Sequence, residues 1–150
     1  VLSLPVRPPL EEDAELRSFE EPRIAPPLER RLVEPEHHNW RVVRDLESDV
    51  STLEVINDAG VYDIPEVDLR FQAKALEWYS SRADDFNSVR GETLWTRSLQ
   101  RAGWSVHTRT RTVLTSDQTH FHILAELDAW EGEKRVFSEN WDSSIPRDLV

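Results

Sequence analysis

An all-β fold is what this sequence predicts: an antiparallel meander of about six or seven strands curled into an open half-barrel, preceded by an extended proline-rich arm. Three observations carry that expectation. From Asn39 onward apolar and polar residues alternate with period two. Threonine and β-branched residues crowd "HTRTRTVLT", which suits a pleated sheet and disfavours a helix. The last four apolar-alternating runs are separated only by "RAG", "SDQ" and "EG", connections that antiparallel neighbours can use and parallel ones cannot.

Taken in order, residues 1–38 form the arm and residues 39–150 the β domain. Seven of the nine prolines lie at positions 5 to 35. Proline fixes φ and removes a donor, so this stretch runs extended, with one short helical turn in "LEEDAELRSF" after Pro9. Leu2, Leu4, Val6, Leu10, Leu16, Phe19, Ile24 and Leu28 make it more apolar than a free linker, and the expectation is an arm lying along a folded surface.

The strand runs follow. "WRVVRDL" leads through "ESD" to "VSTLEVIN", which is expected to end at "DAG". In "VDLRFQAKALEWYS", Leu69, Phe71, Ala73 and Ala75 alternate before a shift near Leu76 that reads as a bulge. The polar "SRADDFNSVRG" is expected to connect this strand to "ETLWTRSLQ". In "WSVHTRTRTVLT", Trp104, Val106, Thr108, Thr110, Thr112 and Leu114 share one face. Ser105, His107, Arg109, Arg111 and Val113 share the other, which must meet water or carboxylates. The next strand sets Phe121, Ile123, Ala125, Leu127 and Ala129 against His120, His122, Glu126 and Asp128 on its opposite side. Centring the hairpin on Asp117 brings Arg109 and Arg111 near residues 122 to 126. Trp141 then closes the last strand, Pro146 stops its pairing, and Ile145, Leu149 and Val150 fold back.

Composition narrows the function classes. At 150 residues one domain is expected. There is no cysteine, which excludes a disulfide framework, thiolate zinc sites and a cysteine nucleophile, and fits a reducing, cytoplasmic setting. A net charge of −11 argues against nucleic acid as a partner, since that binding rests on a basic surface. No apolar run approaches the ~18 residues that span a bilayer, so no membrane partner is expected.

The residues that carry chemistry elsewhere find little support here. His120 and His122 project from one strand face and form the most tempting metal clamp, but His107 falls too far away to be a third ligand. Asp117 and Glu126 would need a favourable twist to join them. The ordinary reading is a pair of solvent-facing histidines. "EHH" at 36 to 38 follows Pro35 in an expected loop. No G-x-S-x-G elbow occurs, and Gly60, Gly91, Gly103 and Gly132 each read as turn residues, so no phosphate-cradling loop is built. Asp84 and Asp85 lie in a polar connection. Of the six tryptophans, Trp78, Trp95, Trp104, Trp130 and Trp141 fall in strands, and they read as core and interface packing before they read as a ligand groove. No catalytic, cofactor-binding or metal-ligating residue is therefore assigned.

"LSLPVRPP", "NWRVVRDLES", "TLEV" and above all "TSDQTHFHILAELDAWEGEKRVFSENWDSSIPRDLV" resemble the carboxy-terminal region of bacterial hydrolases of the cocaine esterase and X-prolyl dipeptidyl-peptidase-like group. The resemblance extends from Leu2 to Val150. It implies a parent with an α/β-hydrolase core, a Ser-His-Asp triad, a cap and a β jelly roll, to which this segment is an appended β region. None of the triad motifs has a match here, so no catalytic residue carries over. The expectation is that the chain is the last part of a longer protein: a noncatalytic accessory domain of a serine acyl hydrolase, without a cofactor. Its partners would be the rest of the parent chain and a second subunit. The alternative is an independent, lipocalin-like module enclosing a small apolar ligand.

Overall fold

The computed structural model describes residues 6–15 and 19–148 and contains one antiparallel sheet of eight strands. They are β1 (Arg31–Glu34), β2 (His37–Asp45), β3 (Val50–Ile64), β4 (Leu69–Arg82), β5 (Asp85–Arg101), β6 (Trp104–Ser116), β7 (His120–Glu131) and β8 (Lys134–Pro146). From β3 to β8 each strand pairs with the next in sequence, while β1 and β2 both pair with β3. The sheet is open, with β8 at one edge and β1 and β2 at the other. The all-β meander predicted from alternation is therefore present. The strand beyond the expected number is β1, which forms inside the proline-rich stretch.

Several expected boundaries are corrected. "DAG" does not end β3: the register with β4 shifts between Asp58 and Val61, and the strand continues to Ile64. Gly60, at φ +70°, absorbs the bulge, and the chain between β1 and β2 crosses directly over it. A Cβ there would lie 2.8 Å from the Pro35 carbonyl carbon and 2.9 Å from the Glu36 nitrogen, and closer still to the Glu34 oxygen. Only glycine fits such a contact. Near Leu76, by contrast, no shift occurs, because Leu76 pairs with Ile56 and Leu94 in unbroken ladders. The apparent break in alternation is a second apolar strip on the opposite face. Most of "SRADDFNSVRG" is strand, so Asp84 belongs to a tight turn and Gly91 sits inside β5 beneath the Tyr79 ring.

The arm also departs from expectation. Its Glu11–Glu15 turn is a 3-10 helix, held by Arg7 to Asp13 at 2.6 Å and by the Leu10 N–H donating to Asp13 Oδ2. Yet Val6 is 87%, Phe19 97% and Ile24 86% exposed, so these side chains do not dock on the sheet of their own chain. Leu2, Leu4 and Leu16 lie outside the described residues, as do Leu149 and Val150 at the other end. Proline has no backbone N–H, so this stretch has few backbone donors with which to join a sheet.

No second layer covers either sheet face within the described residues. Among the described residues the buried hydrophobic side chains are Val55, Val61, Ala75 and Val113. The chain exposes 12487 Å², against about 7,900 Å² for a compact chain of this mass. Domains ordinarily stack two layers around one core, so this sheet presents surfaces that a complete domain would bury.

Candidate functional site

The register assigns every strand side chain to one of two faces, and the faces differ in chemistry. One carries Trp40, Tyr62, Phe71, Tyr79, Trp95, Phe121, Phe137 and Trp141, linked across strands by pairs such as Tyr62 with Phe71 and Ala125 with Trp141. The Tyr62 and Phe71 rings lie 5.2 Å apart. Many of these rings remain open: Trp40 is 74% exposed and Trp141 43%. The expectation that the tryptophans pack a core is thus corrected, because there is no facing layer for them to enter.

The opposite face carries the ion pairs, beside an apolar strip that includes Ile56, Leu76, Trp78, Leu94 and Val113. Arg41 meets Glu54 at 2.5 Å, Lys74 meets Asp58 at 3.1 Å, and Arg70 meets Asp63 at 2.8 Å. Further along, Glu92 joins Arg90 at 2.5 Å and Arg111 at 2.6 Å, and Arg111 reaches on to Glu126 at 3.5 Å. All the cross-strand ion pairs among the described residues lie on this side. The Arg90 guanidinium, then that of Arg111, holds the Glu92 carboxyl below its ordinary range despite some burial. The ladder expected between β6 and β7 is present but displaced: Arg111 faces Glu126 and Arg109 faces Asp128. The cause is the turn, which closes at Ser116 with Phe121 and is not centred on Asp117.

That turn organises a second cluster. Asp117 Oδ1 accepts from the Thr119 N–H at 2.6 Å, the Thr119 hydroxyl at 2.9 Å and the His120 N–H at 2.8 Å. Its Oδ2 lies 2.8 Å from His122 Nε2, and His122 Nδ1 lies 3.4 Å from Ser144 Oγ on β8. These contacts, the His122 hydrogen bond foremost, hold the Asp117 carboxyl far below its ordinary range. Arg147 completes the cluster: its N–H donates to the Thr119 oxygen, its Nη1 donates to the Asp117 oxygen, and its guanidinium covers the Phe121 ring at 5.1 Å.

Sequence reasoning missed the line from Ser144 through His122 to Asp117, because its members come from two strands and a turn. The spacing Asp117-x-Thr119, an aspartate accepting from backbone two residues on, was the available signal. The line has the composition of a nucleophile, base and acid, but its serine contact is long and its imidazole is 42% exposed. Water reaches it freely, and its evident work is to staple the start of β7 to the end of β8. His120 stacks near His122 with centroids 6.2 Å apart, and among the described residues no three of His, Asp and Glu converge as a metal would require. His107 stacks on Trp130 at 4.5 Å. His38, in β2 and not in the expected loop, lies 3.6 Å from Glu36, and Asp85 accepts from the Asn87 N–H at the start of β5.

No family model, no curated protein and no solved structure matches the chain.

Proposed function

We propose that this sheet is a noncatalytic accessory domain of a serine acyl hydrolase, esterase or X-prolyl peptidase-like, and that its aromatic face packs against the rest of that protein or a second subunit. The observation that carries the reading is the segregation of the two faces. Cross-strand ion pairs furnish one side for water, while the other presents exposed aromatic rings over a large part of the sheet. Exposed apolar surface on that scale marks a contact. The hydrolase assignment rests on the resemblance of the carboxy-terminal stretch. The lipocalin-like alternative needs the edges to meet around an interior, and β8 remains unpaired with β1 and β2.

Two measurements test the proposal together. The chain alone should not hydrolyse an activated ester above buffer, and in the assembled hydrolase Trp95→Glu should lower the melting temperature while leaving kcat unchanged. Turnover by the chain alone that disappears in His122→Ala would replace the accessory role with a catalytic one.

A further inference from the structure

We infer that β8 pairs with β8 of a second copy of this chain, antiparallel and centred on Trp141, so that two sheets continue into one. The inference is independent of what covers the aromatic face. It begins from the open middle of this edge: all 13 residues of β8 are exposed, Lys134, Arg135 and a register shift guard only its start and Pro146 only its end, and Phe137 to Ile145 carries just Glu139 and Asp142 as charges. Exposed edges of this length usually carry proline, lysine or a bulge along their course, or they pair.

The direction of the free backbone groups follows from one hydrogen bond. The Arg147 N–H donates to Thr119, and from there inward the pairing of β7 with β8 runs without a shift as far as Phe137. Backbone groups alternate sides along a strand. Phe137, Glu139, Trp141, Ser143 and Ile145 therefore face β7, and Ser138, Asn140, Asp142 and Ser144 offer their N–H and C=O groups outward.

The side chains then select the register. With a two-fold axis at Trp141, the two Trp141 rings meet, Phe137 lies opposite Ile145 and Glu139 opposite Ser143. On the other face Asn140 lies opposite Asp142, where its amide can donate to the carboxylate, and Ser138 lies opposite Ser144. From Phe137 to Ile145 apolar meets apolar and no like charges face each other; the ladder stops there, because the next positions set Pro146 opposite Val136 and Arg147 opposite Arg135. Centring on Glu139 or Asp142 sets a carboxylate against its own copy. Centring on Asn140 sets Trp141 against Glu139. Centring on Ser143 shortens the ladder and places Pro146, which has no N–H, opposite Asn140.

The test combines sedimentation with cysteine cross-linking on the whole 150-residue chain, which has no thiol of its own. The chain should sediment at about 35 kDa, twice its 17.5 kDa. Asn140→Pro removes an outward donor and no bond to β7, and should raise the half-dissociation concentration at least about tenfold, the equivalent of one to two lost hydrogen bonds. Glu139→Cys mixed with Ser143→Cys should oxidise mainly to the mixed dimer, because non-hydrogen-bonded neighbours bring their Cβ atoms closest. A monomeric mass at about 100 μM, a concentration at which even weak specific pairing would show, would overturn the inference. So would thiols at 139 and 143 that cross-link with themselves as readily as with each other.

Discussion

His122 Nε2 stands 2.8 Å from Asp117 Oδ2, so the residue that shapes the turn between β6 and β7 is also tied to the second turn-proximal side chain of the strand it opens. Asp117 must be ionised to accept from His122, Thr119 and His120 at once. A carboxyl held below its ordinary range stabilises the fold fully above the ordinary carboxylate range, and that contribution is lost as pH falls toward the folded value. Stability should therefore decline below about pH 4. Asp117→Asn should flatten the decline and lower the melting temperature at pH 6. Thermal melts from pH 2 to 6 measure both, and an unchanged acid slope in the variant would assign the loss to other carboxylates.

Glu92 sits between Arg90 and Arg111 and is governed by the same linkage: its contribution is present above the ordinary range and fades in acid. Glu92 is half-buried but both guanidinium groups are open to solvent, so these pairs should be screened in part. Raising salt from about 0.05 to 1 M should shift Glu92→Gln and the natural chain toward the same melting temperature. Persistence of the full difference at high salt would show a buried interaction instead.

Gly60 and Gly103 share a left-handed backbone but differ in surroundings. At Gly103 an added Cβ meets open space, whereas at Gly60 it meets the backbone between β1 and β2. Gly103→Ala should cost about 1–2 kcal/mol from conformation alone. Gly60→Ala should cost at least about 1–3 kcal/mol more, since backbone must move. Urea melts of both variants decide it, and equal costs would mean that the crossing over Gly60 is loose.

Val113 is 6% exposed and Val42 is 71% exposed, although both are strand valines. Val113→Ala should cost about 1–3 kcal/mol, between the usual Ile→Val and Leu→Ala losses. Val42→Ala should stay within about 0.5 kcal/mol, as surface substitutions do. Similar values at both positions would deny that neighbouring side chains on the face of the ion pairs bury Val113.

The strands were legible because period-two alternation and short turns are local signals. Alternation failed where both faces carry apolar residues: Leu76 and Trp78 face away from Ala75 and Tyr79, and a straight strand there imitates a bulge. "DAG" failed for the opposite reason, since a glycine bulge and a turn use the same residues and only the crossing of β1 into β2 distinguishes them. Trp141 was expected near a strand end and in a core. It lies inside β8, and its exposure depends on a covering layer that no local pattern encodes. The Ser144, His122 and Asp117 line needed the β7 to β8 register, which is a tertiary fact.

The proposed interface is the aromatic face and not the face of the ion pairs. Hydroxyl-radical footprinting tests it most directly, comparing the chain alone with the hydrolase assembly proposed above. Trp40, Tyr79 and Trp95 should be modified readily in the chain alone and protected in the assembly, while Trp78 and Trp130 on the opposite face change little. Equal modification of Trp40, Tyr79 and Trp95 in both states would contradict it.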